Sequence, residues 1–391
     1  MTLGDEKGRL MADPVYLDYN ATAPVRPEAA QAVAKALTAT GNASSVHGFG
    51  RAARQRVEGA RDAVAALAGA HPAQVVFTSG GTEANNMALR GHEATRVLVS
   101  AVEHDSVLNA RPGGMGGEVE VLPVTPDGRV DPAVLDARLA AAPGPALVSI
   151  MLANNETGVI QPVADLAEVA RRHGARVHCD AVQAAGKLPL DVATLGADLV
   201  TLSAHKLGGP QGAGALIVLD DAPLHPHLRG GGQERGYRAG TENVPAIAGF
   251  GAAAACAADE VARSTTLADS WAAWRDRLEA EARACVPDVR VHGAEAPRLA
   301  NTSCLGLPGV NAETQLMALD LAGVAVSSGA ACSSGKVHAS HVLRAMGVDA
   351  TAAGEAIRIS FGWTSRAEDV DRFLKAWGRL ARRHADARPA A

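Results

Sequence analysis

Short apolar runs alternate along the middle of the chain with segments of helical periodicity. Six of these runs have the length and composition of buried parallel strands. They cover 75–77, 96–101, 146–152, 175–181, 198–204 and 214–219. Between two of them, the segment 162–174 places Leu166, Val169 and Ala170 on one helical face and ends in Gly174, a typical C-terminal cap. This alternation predicts an α/β domain with a mostly parallel sheet flanked by helices.

The pattern changes after about residue 260. A long helical stretch at 266–284 precedes short strand-like segments and the alternating strand 356–361, in which Arg358 points away from the apolar face. The segment 369–383 carries a helical apolar stripe, and 384–391 is expected to be frayed. The sequence therefore predicts an N-terminal arm (1–15), a large α/β domain (16–260) and a smaller α+β C-terminal domain (261–391).

Composition narrows the class of protein. The chain has 391 residues, 47% of them hydrophobic, and a formal net charge of −5 with both signs interspersed, so we expect no direct nucleic-acid partner. No apolar run is expected to be long enough to span a bilayer, and the charged first residues lack a signal-peptide core. The expected location is the cytoplasm, without membrane association.

The five cysteines are widely spaced and form no CxxC pair, so neither a disulfide framework nor a structural zinc site is expected. Cys179, Cys256, Cys285 and Cys304 lie in the surroundings of small buried apolar residues. Cys332 differs because it stands in SSGAACSSGK, a run of small residues without apolar periodicity. We expect an accessible thiol in a loop there. No metal site of the chain's own is predicted.

Polar groups follow two of the predicted strands. After 75–77 the chain continues through Ser79-Gly80-Gly81-Thr82 into a helical pattern, which is typical of an anion site but also of an ordinary capped glycine turn. Asp180, with Gln183 three residues on, ends the run 175–181, where open α/β sheets hold ligands. A helix cap and a surface glutamine are the alternative interpretation of that pair.

A third polar group stands where the run 198–204 ends. It consists of Ser203, His205 and Lys206, followed by a glycine-rich loop. A lysine here is either solvated or, if burial lowers its pKa, able to form a Schiff base. An anion site, an acid and a lysine at strand ends are together what pyridoxal phosphate requires, because they pair with its phosphate, its ring nitrogen and its aldehyde.

Eight further motifs stand in order along the chain. They are FTSGGTEANNMAL, EHDSV, ANNETGVIQPV, HCDAVQAAGK, SAHKLGGPQGAGAL, GGGQERGYRAGTENV, SSGAACSS and IRISFGW. Together with YLDYNATAPV at 16–25 they closely resemble the cysteine desulfurases of the NifS/IscS type, within the class V aminotransferase family. The resemblance covers nearly the whole chain and implies PLP fold type I.

The resemblance implies a role for each matched residue. Lys206 would carry the cofactor as a Schiff base, and His104 would stack on its ring. Asp180 would keep the ring nitrogen protonated, and Gln183 would bond the phenolic oxygen. The phosphate site would be formed by Gly81, Thr82, Ser203 and His205, with Thr241 reaching over from the second subunit of a homodimer.

The resemblance also implies the substrate and the fate of its sulfur. Asn155 would contact the cofactor and, with Arg358, bind the carboxylate of L-cysteine. Cys332 would attack the substrate sulfur to give a persulfide and L-alanine, and would pass the sulfur to an iron–sulfur scaffold or other acceptor protein. Cys332 is also implied as a transient iron–sulfur ligand shared with a scaffold. The chain departs from the family pattern at Tyr237, Ala239 and Trp363.

Three other functions stay open at this point. A selenocysteine lyase or another class V enzyme would share the cofactor residues, although a plain aminotransferase has no need of Cys332. A relative that has lost catalysis and only binds assembly partners would be expected to lack Lys206, Asp180 or Cys332, and all three are present. A nucleotide-binding protein built on 79–82 would need a Walker lysine, which is missing. Cysteine desulfuration is therefore the predicted function.

Overall fold

The computed structural model describes residues 14–94, 96–110, 118–219, 222, 224–263, 267–329 and 339–387. The strands are β1 (Val15–Tyr16), β2 (Val75–Thr78), β3 (Arg96–Ser100), β4 (Glu118–Leu122), β5 (Ala146–Met151), β6 (Arg176–Asp180), β7 (Leu199–Ser203), β8 (Gly214–Val218), β9 (Arg290–Val291), β10 (Thr302–Gly306), β11 (Val324–Ala325), β12 (Ser327–Ser328) and β13 (Ala356–Ser360).

Helices connect and cover these strands. They are α1 (Pro27–Leu37), α2 (Gly48–Ala68), α3 (Gly81–Gly91), α4 (Asp105–Leu108), α5 (Pro132–Ala141), α6 (Val163–Arg172), α7 (Val192–Leu195), α8 (Val244–Ala262), α9 (Leu267–Cys285), α10 (Ala312–Leu321), α11 (His341–Ala345), α12 (Ala350–Gly354) and α13 (Ala367–Ala387). Short 3-10 turns lie at Pro72–Gln74, Ala204–Lys206 and Gln233–Gly236.

The large sheet has seven strands in the order β2-β8-β7-β6-β5-β3-β4. All six predicted runs form strands, and the prediction of a mostly parallel sheet is confirmed. The expectation of a parallel strand is wrong for β8, which runs antiparallel to both β7 and β2. Only residues 204–213 join β7 to β8, and a parallel crossover needs about a dozen residues or more. The edge strand β4 was not predicted, since its EVEVL pattern is only half apolar.

Helix α8 packs against α1 and α2 beside the large sheet. By length and composition it is apolar enough to cross a membrane, which corrects the expectation that no run reaches that length. Eight of its residues are buried. A Cβ on Gly251 would lie 2.5 Å from Ala60 Cα in α2, so the two helices approach closely through a position without a side chain. These contacts are those of a core helix.

A second core surrounds the four-stranded antiparallel sheet β12-β13-β10-β9. Ile357 and Ile359 of β13 face this core together with Phe373 and Trp377 of α13, as the alternating pattern predicts. Helix α13 continues to Ala387, so the expected fraying from residue 384 is wrong for 384–387. Strand β1 pairs in parallel with β11, which brings the start of the described chain into this second core. The division into 1–15, 16–260 and 261–391 stays a prediction.

The cysteines differ in burial. Cys179 and Cys304 are buried, as predicted, whereas Cys256 and Cys285 are only partly buried. Cys285 ends α9 and packs against the second core. Cys332 lies outside the described residues.

Candidate active site

A cavity of about 630 Å³ lies between the carboxyl ends of the parallel strands and the four-stranded sheet. Its volume is in the range of small-molecule sites, about 300–1,000 Å³. It brings together most of the residues that the sequence analysis selects. Those in its lining are Gly81, Thr82, His104, Asn155, Asp180, Gln183, Ser203, His205, Lys206 and Arg358.

The parallel strands place polar side chains at this edge because their own residues are buried. Strands β5 and β7 are buried throughout, and β6 is buried from its second residue onward. The polar side chains that line the cavity therefore stand at the strand ends, such as Asp180 and Ser203, or just beyond them. His104 follows β3 in this way, and Asn155 follows β5.

Lys206 ends the 3-10 turn that follows β7. Its Nζ donates to the backbone oxygens of Asn20 at 2.5 Å and of Ala21 at 2.8 Å. Burial, followed by the nearby Arg358 charge, lowers the pKa of Lys206 to about 8, although the charges of Asp18 and Asp180 act in the opposite direction. About a tenth of this amine is thus neutral at pH 7, and the neutral amine is the state that a nucleophile or a base needs.

A chain of hydrogen bonds connects Asp180 to His104. Asn85 Nδ2 donates to Asp180 Oδ2 at 2.7 Å and to Ser106 Oγ at 2.8 Å. Ser106 Oγ lies 2.8 Å from His104 Nδ1, and the Ser106 backbone N–H donates to the same nitrogen. Because Nδ1 accepts these bonds, the proton of the neutral imidazole lies on Nε2. The ring orientation of His104 is therefore linked to the carboxylate.

Gln183 is held by two partners that determine how its amide is oriented. Its Nε2 donates to the Asn20 backbone oxygen at 2.9 Å, and its Oε1 accepts from Lys187 Nζ at 2.8 Å. Lys187 also donates to Asn20 Oδ1 at 2.8 Å. Burial, followed by repulsion from Lys206 and Arg358, lowers the pKa of Lys187 well below its ordinary value. With its oxygen engaged, the amide of Gln183 has one N–H left for the cavity.

The N-terminus of α3 forms one side of the cavity, and a helix N-terminus is a place where proteins can hold an anion. The first N–H groups of a helix have no intrahelical partner, and here Gly81 and Thr82 supply them. A Cβ on Gly81 would lie 3.1 Å from Val182 Cγ2, so a side chain there would narrow the site. His205 faces the same cavity, and burial and the neighbouring Lys206 lower its pKa to about 4. His205 is thus neutral and offers an N–H instead of a charge.

Arg358 lies in the middle of β13 yet is buried. Its Nη1 donates to the Asn155 backbone oxygen at 3.0 Å, and its Nη2 contacts Asp18 Oδ1 at 2.7 Å. Its Nε has no hydrogen-bond partner within the described part of the chain. As the alternating pattern predicts, Arg358 points away from the face that carries Ile357 and Ile359. The segment around Asp18 and the turn after β5 cover the face that Arg358 occupies.

One predicted site residue lies outside this cavity, and another lies outside the described residues. Thr241 lines a separate cavity with Ser79 and Arg238, so one chain alone does not place it beside Lys206. Cys332 lies outside the described residues. The unexpected Trp363 donates from Nε1 to the Pro24 oxygen at 3.1 Å and lies outside the main cavity.

The sequence analysis missed several polar residues of the cavity. Asn20, Asn85, Ser106 and Glu156 all line it. Each stands inside a motif that carries the family resemblance, and that position is the only signal that could have selected them. In the ranges that the structure describes, no group of three or more His, Cys, Asp or Glu side chains is placed to hold a metal ion.

Comparison with protein families and curated proteins gives a consistent result. The family described as aminotransferase class-V matches residues 15–373. A cysteine desulfurase of Cereibacter sphaeroides is 47% identical over 372 residues, covering 92% of this chain and 94% of that protein. An IscS-like cysteine desulfurase of Mycobacterium tuberculosis (strain ATCC 25618 / H37Rv) is 40% identical, covering 92% and 94%.

Solved structures agree with these relatives. The X-ray structure of a NifS-like protein from Rickettsia africae ESF-5 superposes with a TM-score of 0.85 at 34% identity, covering 94% of this chain and 99% of that one. The predicted fold type is confirmed by this similarity and by the seven-stranded, mostly parallel sheet.

Proposed function

The chain belongs to the class V aminotransferase family, and from this membership we propose that it is a pyridoxal-phosphate-dependent cysteine desulfurase. It converts L-cysteine to L-alanine and holds the released sulfur as a persulfide on Cys332. One observation carries the proposal. Lys206, whose pKa is lowered, lies in one cavity with the carboxylate of Asp180 and the guanidinium of Arg358.

The chemistry of the donor groups fits the cofactor. Asp180 receives hydrogen bonds from Asn85 and from the Val182 N–H at 3.0 Å, both neutral donors, and can therefore pair with a protonated ring nitrogen. His104 would stack on the ring, and the remaining N–H of Gln183 would reach its phenolic oxygen. The phosphate would be held by Thr82, Ser203, His205 and the N–H groups at the start of α3. When bound, pyridoxal phosphate supplies an electron sink for the substrate carbon.

Lys206 would hold the cofactor, and it moves the substrate proton. Its lowered pKa favours the neutral amine, which can bond to an aldehyde and, when free, act as a base. The backbone oxygens of Asn20 and Ala21 hold Nζ at the cavity wall in the meantime. From there Lys206 takes the Cα proton of L-cysteine.

Arg358 and Asn155 position the substrate. The Nε of Arg358 is the buried donor without a partner in the described chain, and a substrate carboxylate would satisfy it. Asp18 and the Asn155 oxygen hold the two outer nitrogens, so the guanidinium keeps its orientation. We infer that the carboxylate is bound on the Arg358 side and the reacting carbon faces Lys206.

Cys332 accepts the sulfur. As a thiolate it forms an S–S bond with the substrate sulfur while the substrate Cβ–S bond breaks. The electron pair of that bond stays on the substrate Cβ, which takes up a proton. Lys206 then returns a proton to Cα, and the product leaves as L-alanine. The product is a Cys332 persulfide, which another thiol can attack in turn.

The further partners are part of the same proposal. A homodimer would bring Thr241 of one subunit to the phosphate site of the other, since Thr241 is outside the cavity of its own chain. The sulfur acceptors would be an iron–sulfur scaffold and other thiol proteins, with Cys332 as a transient cluster ligand shared with the scaffold. A cytoplasmic location is proposed with them.

Anaerobic incubation of the cofactor-loaded enzyme with L-cysteine, without reductant, tests the function. We expect L-alanine and one added sulfur on the peptide that contains Cys332, measured by amino-acid analysis and peptide mass spectrometry. A Cys332→Ser variant should retain the absorbance of the bound cofactor and lose the added sulfur. An incubation with L-selenocysteine in parallel measures whether the enzyme is instead a lyase for that substrate.

The outcomes separate the parts of the proposal. L-Alanine without sulfur on Cys332 would keep the reaction and remove the persulfide role. A loaded enzyme that forms no L-alanine would contradict desulfuration.

A further inference from the structure

Glu156 is a buried carboxyl group that the proposed reaction does not use. It follows Asn155 in the turn after β5, and its side chain reaches the cavity wall. Its backbone N–H donates to Asn154 Oδ1 at 2.9 Å, which keeps the turn in place. Burial raises the pKa of Glu156 to about 7, although the Ser340 hydroxyl and the Arg358 charge both act in the opposite direction.

The carboxyl group of Glu156 contacts two residues that are distant from it in sequence. Its Oε2 accepts a hydrogen bond from the hydroxyl of Ser340. A Cβ on Gly329 would lie 2.5 Å from the same oxygen, so the carboxyl group packs directly on the Gly329 backbone. Because real Cβ atoms essentially never come so close to another atom, only glycine fits there without displacing Glu156.

Gly329 and Ser340 flank the segment 330–338, which contains Cys332. One buried oxygen thus contacts the chain on both sides of the cysteine-bearing segment. Ser340 Oγ also accepts from the Leu343 N–H at 3.1 Å as the N-cap of α11, so its own proton is directed to Glu156. The next residue makes a second contact with the large-sheet side of the cavity, since His341 Nε2 lies 3.0 Å from the Glu103 backbone oxygen.

We infer that Glu156 is a positioning residue that holds Gly329 and Ser340, the two residues it contacts on either side of 330–338, at the cavity wall and thereby determines how Cys332 reaches the substrate sulfur. The inference rests on the proposed function. Glu156 is next in sequence to Asn155, whose backbone oxygen accepts a hydrogen bond from Arg358. The residue that contacts Gly329 and Ser340 is therefore adjacent to a residue that orients the substrate-binding arginine.

Variants at Gly329 and Ser340 test the inference, each with a matched control. Gly329→Ala places a methyl group against Glu156, whereas Gly354→Ala adds one where nothing lies within 4 Å. Ser340→Ala removes a helix cap and the bond to Glu156. Asp349→Ala removes only a cap, since its Oδ1 accepts from the Ala352 N–H at 3.0 Å. Glu156→Ala removes the contact itself, and Glu156→Gln retains an acceptor for Ser340.

The first measurement is single-turnover sulfur transfer to Cys332 in the cofactor-loaded enzyme, followed by mass spectrometry of the peptide. We expect Gly329→Ala, Ser340→Ala and Glu156→Ala to slow the transfer by roughly tenfold to a hundredfold, because displacing a reacting group by about 1 Å can cost that much. The two controls and Glu156→Gln should stay within about twofold of the parent enzyme. The absorbance change on adding L-cysteine should be the same in all variants.

The second measurement needs no turnover. The rate at which iodoacetamide alkylates Cys332 in the resting holoenzyme should rise in the three disrupting variants and stay unchanged in the controls. If L-cysteine is not the substrate, the transfer assay fails for the parent enzyme while the alkylation comparison still tests the attachment. Alkylation and transfer rates that match the controls in all three variants would overturn the inference.

Discussion

The cavity has two walls that are built in different ways. The wall of the large sheet takes its polar groups from strand ends, where Asp180 and Ser203 are the last residues of their strands. The wall of the small sheet takes its central charge, Arg358, from the middle of β13. The first wall follows the rule that open parallel sheets bind ligands at the carboxyl ends of their strands. The second depends on another part of the chain, since Asp18 holds the arginine in place.

The two walls also differ in how each one stabilises a cationic side chain that is buried. Among the residues that the structure describes, Lys206 on the first wall has backbone oxygens as its hydrogen-bond partners, and its pKa is lowered. Arg358, on the second wall, pairs with the partly buried carboxylate of Asp18, and an arginine side chain is charged in proteins. We therefore expect the first wall to supply the group whose protonation changes during the reaction, and the second to supply a fixed charge.

Replacing Lys206 should have the largest effect. Lys206→Ala removes both the attachment point and the base, and turnover of L-cysteine should fall by roughly 10²–10⁴-fold or more. Borohydride reduction of the loaded enzyme followed by peptide mass spectrometry should place the cofactor mass on the Lys206 peptide. Lys187→Ala, a second buried lysine of the same region, should keep that label. A label on another lysine would contradict the assignment.

Replacing Arg358 should affect binding more than chemistry. Hydrogen bonds to charged groups contribute about 1.5–3 kcal/mol, so Arg358→Gln should raise KM for L-cysteine by roughly 10–100-fold. The absorbance of the bound cofactor should be unchanged, because Arg358 lies on the opposite wall. Equal KM values for the variant and the parent would show that the substrate carboxylate binds elsewhere.

A smaller effect is expected at Lys187, which acts through Gln183. Lys187→Met removes the hydrogen bond that orients the Gln183 amide. Because such a bond contributes about 0.5–1.5 kcal/mol, the substitution should raise the Kd for pyridoxal phosphate by roughly 2–12-fold in a fluorescence titration. In a Gln183→Ala background the same substitution should add little, because the amide that it orients is gone. Additive effects in this cycle would contradict an action through Gln183.

The smallest expected effect is a change in the pH dependence of pyridoxal phosphate uptake. Uptake of pyridoxal phosphate by the apoenzyme needs neutral Lys206, and the neutral fraction grows as pH rises through a pKa of about 8. The uptake rate, followed by absorbance, should therefore rise with pH around that value. Because the Arg358 charge lowers this pKa, Arg358→Gln should move the midpoint to higher pH. A rate that is flat through this range would contradict the role of the amine.

The first wall could be predicted from the sequence because strand ends are visible as places where an apolar run stops. Asp180 and Lys206 stand at such places, and the structure puts both in the cavity. The direction of β8 follows from the length of its connection, which the apolar run itself does not reveal. Predicting the direction of a strand therefore requires the length of the connection before it in addition to the pattern of apolar residues.

The second wall could not be predicted from patterns. Arg358 has the outward position of an alternating strand, and only tertiary contact with Asp18 makes that face buried. Asn20 and Glu156 are ordinary polar residues in sequence, and their importance comes from partners more than 130 residues away. Such long-range contacts form only in the folded chain and produce no periodic pattern in the sequence.

Asn20 has a consequence for the synthesis of the enzyme. Its side-chain and backbone groups bind Lys206, Lys187, Thr302 and Ser360 at once. The 340 residues from Asn20 to Ser360 take roughly 17 to 68 seconds to translate at about 5–20 residues per second. During that interval a ribosome-bound chain has Asn20 but lacks at least one of the groups that Asn20 binds. We therefore expect catalysis to begin only after β13 has left the ribosome, and a chain that terminates before β13 to be inactive.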